Sequence, residues 1–326
     1  MPKNNNLEPV KLPMDLKFGK RPKTRFENNL TSIRVDLCKG PTLDEIKQWI
    51  PYFVDATWSE HPTYEMDEAS EDEYIDELFK GLCLPTARET IVFVLRIRGI
   101  SLQEVTHILR HRLCSFSADC SGDKWWSEKD CLVPESIQNS PEFYDRYRKI
   151  VEESKQLYCD MIDSKKISIM DARSILTRNL ATYYYMKIDL GNMVAFINQR
   201  KDVQIQPQTD NILAYEFTRI LCNLYGNHVA DLVSFDNPSP FYQKMARTGK
   251  ATNLYFPEPE VDNFEWNEKD FIYQCRREEM NGTEPVFNKT VFEKLQLYYF
   301  DIFNKYGIKL PFWYYEKGKK NEHDHN

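Results

Sequence analysis

The chain of 326 residues carries 43 Lys and Arg against 50 Asp and Glu, a formal net charge of −7, and is 41% hydrophobic. This is the composition of one large globular domain or two modest ones; it excludes a disordered chain and a surface built throughout for nucleic acid. Aromatics reach 13% against only 11 glycines, and with no GxGxxG or GxxxxGK[ST] run a Gly-rich phosphate loop is excluded too.

Residues 1–29 are rich in Lys, Asn and Pro and lack an apolar run, so no signal peptide is read there. No stretch approaches the ~20 apolar residues of a membrane span. Pro41-Thr42-Leu43-Asp44 caps a short amphipathic helix over 45–50. The acidic run 65–77 reads as a loop leading into a helix near 74–81. Residues 90–97 are β-branched and apolar, a buried strand that Gly99 breaks. Ser101 and Glu104 form a capping box that opens a helix over 102–112, with Leu102, Val105, Ile108 and Leu109 toward the core. Residues 115–129 read as irregular and polar. Helices are expected over 141–164, 171–188, 191–199 and 211–233, with Tyr183-Tyr184-Tyr185 packing on the second of these. After Asn237-Pro238-Ser239-Pro240 the texture turns to Pro, Asn and aromatics. The expected organisation is an arm over 1–30, a core over 31–235 and an extension over 236–326. The eight scattered cysteines contain no CxxC pair and read as reduced thiols of a cytoplasmic protein.

The densest chemical signal is Arg110-His111-Arg112, followed by Ser115, Ser117, Asp119, Ser121, Gly122 and Asp123. Cations at a helix C-terminus are favourable against its dipole by ~0.3–1 kcal/mol, which accounts for the triplet alone. It leaves the hydroxyls and the glycine unexplained, whereas guanidiniums beside hydroxyls and bare backbone suit an anionic ligand. Glu104, His107 and His111 lie at i, i+3 and i+7 and could share a helical face as metal ligands, but no further ligand is evident and no metal is assigned. Cys114 and Cys120 read as packed or loop thiols. Trp125-Trp126 either stack on a base or pterin or fill the core.

Gly99-Ile100-Ser101, then Thr106 through Arg112, then Ser121-Gly122 resemble the signature of the flavin-dependent thymidylate synthases. In that family an RHR triplet ends a helix and a Ser-Gly lies on the loop beyond. Cys120 occupies the family's usual serine spacing, and Ser121 fits with one inserted residue. A second block is similar to the family's ARxxLP…T…F…LRxxxxAQ stretch: Ala172-Arg173-Ser174-Ile175-Leu176, Thr182, Phe196 and 200–206. Upstream, Thr86-Ala87-Arg88-Glu89 is similar to a short hydroxyl-x-x-Glu segment.

The resemblance implies an α/β fold with a sheet flanked by helices, to which this chain adds a mixed, aromatic-rich C-terminal extension. It implies FAD, NADPH and 5,10-methylenetetrahydrofolate as cofactors and a homotetramer that builds its sites across subunits. Thr86, Glu89, Arg110, His111, Arg112, Asp189 and Gln204 would lie along the flavin. Arg110, Arg173 and Arg200 would hold a pyrimidine nucleoside monophosphate, with His107, Asp119, Cys120, Ser121, Gly122, Asp123 and Gln206 in the same substrate set. Arg110, Arg200 and Ser121 would carry catalysis by orientation and positive charge. Arg200→Ala is then expected to abolish nucleotide binding and leave the fold intact. The expected reaction places a one-carbon unit on C5, dUMP to dTMP in the standard version. The alternatives are a dCMP- or dUMP-modifying variant leaving methyl or hydroxymethyl, or a flavin-free nucleotide- or RNA-binding protein.

Several positions depart from the family pattern. His107 replaces a Gln, Gln204 a His and Thr177 a Pro, while Asp189, Gly191 and Ala195 replace polar residues facing the flavin. Asp123 replaces an Arg; a carboxylate accepts from an exocyclic amine and suits cytosine if it reaches the base edge.

Overall fold

The computed structural model describes residues 24–122, 125–203, 206–236 and 290–315. Asp123 and Gln204 lie outside the described residues, as do most of the arm and much of the C-terminal extension.

The centre is a four-stranded antiparallel sheet in the order β2 (Arg34–Lys39), β3 (Val92–Ser101), β6 (Ala181–Asp189) and β4 (Ser115–Ala118). A separate parallel pair joins β1 (Phe26–Asn28) to β5 (Cys131–Val133). Phe93, Leu95 and Ile97 of β3 and Tyr184, Met186 and Ile188 of β6 bury one sheet face, as period-two alternation requires. The other face carries Arg96, Arg98, Tyr185 and Lys187, with both arginines paired to Asp36 of β2.

Several expectations are corrected here. The 171–188 helix is absent: a short α8 (Ile169–Ala172) and a 3-10 turn (Arg173–Ile175) lead into strand β6, so the three tyrosines lie on a strand. The helix expected near 74–81 is present but begins at Glu68, so most of the acidic run is helical. In α3 (Glu68–Lys80), Asp67 caps the N-terminus, early acids complement the dipole, and Gly81 closes the end at φ 76°. Gly99 does not end its strand: at φ 68° it forms a bulge through which β3 continues, and an added Cβ would fall 1.9 Å from the Ser32 carbonyl oxygen. Part of the expected irregular stretch 115–129 is β4.

The remaining helices are α1 (Leu43–Lys47), α2 (Ile50–Trp58), α4 (Pro85–Glu89), α5 (Leu102–Ile108), α6 (Glu135–Gln138), α7 (Pro141–Asp163), α9 (Leu190–Arg200), α10 (Gln208–Tyr225) and α11 (Val291–Lys305). α10 is buried nearly all round, polar residues such as Asp210, Asn211 and Thr218 included, and runs through the core in contact with α9, α11 and β2. From the extension, α11 adds Phe292, Tyr299, Phe300 and Phe303 to that same core. No described helix is long and apolar enough to cross a membrane.

Candidate functional site

The capping box at Ser101 forms as expected: the Ser101 side chain accepts from the α5 backbone while Glu104 Oε2 accepts from the Ser101 amide at 2.8 Å. The helix then stops at Ile108, a turn earlier than its periodicity predicts, and Leu109 is exposed. Arg110-His111-Arg112 therefore lie on a turn beyond the helix. The reason is visible at its C-terminal end, where Nη2 of Arg200 donates to the His107 carbonyl at 3.0 Å.

Arg200 is the hub of this end. It lies at the C-terminus of α9 and is only 7% exposed. Nη1 donates to Gln206 Oε1 at 2.8 Å and to Asp210 Oδ2 at 3.2 Å, and Nε donates to His111 Nε2 at 3.3 Å. His111 tilts over Phe196 with ring centroids 4.6 Å apart. Burial, helped by the Arg200 charge, pushes its imidazole down to about 4, so it is neutral at physiological pH. Arg110 and Arg112 are exposed, with no carboxylate partner among the described residues.

The three residues of the possible metal face have separate engagements. Glu104 serves the cap, His107 faces Asp210 at 3.3 Å, and His111 faces Arg200.

A second group forms beyond β4. The strand pairs Ser115 with Lys187 and Ala118 with Tyr184, and Asp119 then donates its amide to the Tyr183 carbonyl at 3.0 Å. Here Nη1 of Arg173 donates to Ser121 Oγ at 3.4 Å. A Cβ on Gly122 would fall 2.3 Å from Met170 Sδ and 3.2 Å from Arg173 Nη1, so the bare backbone lets the loop close on the arginine. The buried Asp119 carboxylate pairs with Lys129, whose ammonium also sits over the Trp126 and Tyr183 rings. Trp126 is core and Trp125 is partly exposed. Cys120 is exposed on the same loop, while burial raises the Cys114 thiol to about 11. About 14 Å of strand, four residues at ~3.4 Å each, separates this group from the triplet.

A third group lies where α4 packs against the start of α9. Thr86 and Glu89 are exposed on α4, and a Cβ on Gly191 would lie 3.7 Å from that of Arg88. Asp189 is the N-cap of α9; its carboxylate accepts from the Asn192 amide at 2.9 Å and side chain at 2.6 Å. Residue types alone missed Asp210 and Lys129: each pairs with a residue ten positions away at no helical or strand spacing, and Asp210 also faces His107, 103 positions away. Two cavities, of about 630 and 730 Å³, are lined around α3 and His228 and include none of the candidate residues.

Residues 45–221 match the family described as thymidylate synthase complementing protein. A flavin-dependent thymidylate synthase of Pyrococcus furiosus is 26% identical over 149 residues, which cover 44% of this chain and 61% of that protein. The enzyme of the same description from Pyrococcus abyssi is 24% identical over 149 residues, again 61% of its length. This chain thus spans under two thirds of the curated relatives it matches. In fold it is similar to the UMP/dUMP methylase PolB of Streptomyces cacaoi, solved with 5-Br dUMP, at a TM-score of 0.52 and 15% identity over 61% of this chain and 93% of that one.

Proposed function

The chain belongs to the thymidylate synthase complementing family, and from that premise we propose that it is a flavin-dependent enzyme acting on C5 of a pyrimidine deoxynucleoside monophosphate. The standard version converts dUMP to dTMP with methylenetetrahydrofolate as carbon donor. One observation carries the reading: Arg173 closes on Ser121 and Gly122 across 52 positions of sequence, joining the two blocks that carry the family signature. Guanidinium, hydroxyl and an unsubstituted backbone form a donor set suited to a nucleotide phosphate.

The residues present fit a flavin by the chemistry of their donors. Arg112, exposed and without a carboxylate partner among the described residues, suits its pyrophosphate, and Arg110, exposed likewise, suits the side of the flavin that faces the pyrimidine. The Thr86 hydroxyl and Glu89 carboxylate, exposed beside the Asp189 cap, offer hydrogen bonds to polyol groups. When bound, the flavin, reduced by NADPH, supplies the reducing equivalents that leave the transferred carbon as a methyl group. The chain's own part is orientation and charge. Arg110 and Arg200 set positive charge beside the pyrimidine, where negative charge develops on the ring oxygens. Neutral His111, packed on Phe196, adds an uncharged wall. Ser121 and Gly122, with Arg173, hold the phosphate end.

Because β4 separates the Arg110 and Ser121 groups, the reading has one copy supply the first and a neighbouring copy the second, within a cytoplasmic homotetramer. The test begins with colour: the purified protein should be yellow or take up added FAD. Incubation with methylenetetrahydrofolate, NADPH and either dUMP or dCMP, followed by product mass, should give dTMP from dUMP. A colourless protein that does not take up FAD would overturn the flavoenzyme reading, and a product from dCMP alone would transfer it to cytosine.

A further inference from the structure

Asp210 lies in the first turn of α10 and is 1% exposed. One of its oxygens, Oδ2, accepts from Arg200 at 3.2 Å and sits 3.3 Å from Nδ1 of His107. The other, Oδ1, is buried without a hydrogen-bond partner among the described residues. Burying a carboxylate with one oxygen bare is costly to the fold, so Asp210 is poorly explained as a stabilising device.

Its position in the network accounts for it better. Arg200, which it holds, is bonded to both the His107 carbonyl and the His111 ring. Asp210 thus grips the end of α5 twice, directly at the His107 ring and through Arg200 at the backbone just before the triplet. We propose that Asp210 is a positioning residue that sets Arg200 and the Arg110-His111-Arg112 turn for the nucleotide; the consequence for binding rests on the function proposed above. The Asp210 oxygen that already accepts from Arg200 faces Nδ1 of His107 as an acceptor, so that ring nitrogen carries the proton. Where a Gln side chain offers both donor and acceptor, this chain presents a ring whose tautomer Asp210 selects.

Two measurements test the assignment without any ligand. In the parent protein at neutral pH, nitrogen-15 NMR should show His107 as the Nδ1-protonated tautomer. An Nε2-protonated ring would overturn the proposal. Hydrogen–deuterium exchange over 107–113 should rise in Asp210→Asn while α7 exchanges as before; unchanged exchange in that turn would also overturn it. Calorimetric titration with dUMP should then show affinity falling about tenfold in Asp210→Asn, the loss of one hydrogen bond to a charged group. Equal affinity in parent and variant would sink the proposal and leave the functional reading intact. A loosened turn in a protein whose parent form binds no dUMP would support the positioning role and count against the functional reading instead.

Discussion

Arg200 carries a constraint that its motif does not reveal. Its guanidinium is the cation for a carboxylate that is 1% exposed, so truncating it leaves Asp210 charged and buried. Arg200→Ala is expected to lower stability by about 3 kcal/mol in a urea titration, and Arg200→Ala with Asp210→Asn to recover much of that loss. The expected loss of nucleotide binding in Arg200→Ala is therefore joined by an expected loss of stability. Local chemistry was legible in the sequence: Ser101 and Glu104 read as a capping box three residues apart, and the box is present. Long-range chemistry was not, because no spacing rule links residue 200 to residues 107, 111 and 210 together. Lys129 is hidden for another reason: its partner Asp119 reads from the resemblance as a substrate residue, whereas the structure turns that carboxylate onto Lys129.

Among the elements, β6 shows how two periodicities can share one segment. Tyr184 and Ile188 are four apart, as on a helical face, while Thr182, Tyr184, Met186 and Ile188 are spaced as on a strand. The run of tyrosines favours the strand by propensity, and two neighbours decide it, since β3 and β4 both bond to β6. The distinction can be measured. Tyr184→Ala should cost about 3–4 kcal/mol in denaturant unfolding, and the adjacent Tyr185→Ala less than about 1 kcal/mol. Equal costs would contradict the alternation. Helix α5 makes the converse point: its apolar spacing continues to Leu109, yet Arg200 takes the His107 carbonyl and the chain turns away. The helices over 141–164 and 191–199 were read nearly to the residue, because each carries its own amphipathic signal and needs no distant partner to end it.

Taken as a whole, the molecule gathers its arginines around a sheet whose strand β4 keeps two groups apart, and its net negative charge is no guide to them. The family match ends at residue 221, but the packing does not. Tyr215 of α10 meets the rings of Phe235, Tyr299 and Phe300, each with centroids 5.5 Å away, and Phe235 stacks on Phe303 at 5.3 Å. Gln296 donates to the Tyr215 hydroxyl at 3.0 Å, and the Phe235 amide to the Lys309 carbonyl at 2.8 Å. Kinship and folding therefore have different borders in this chain. A protein ended at Asp236 would keep every described candidate residue, yet lay bare a ring-rich flank of its central helix. Light scattering should find such a truncated protein aggregated at concentrations where the full chain stays dispersed. What looks like an appendage by ancestry is, in the assembled molecule, a wall.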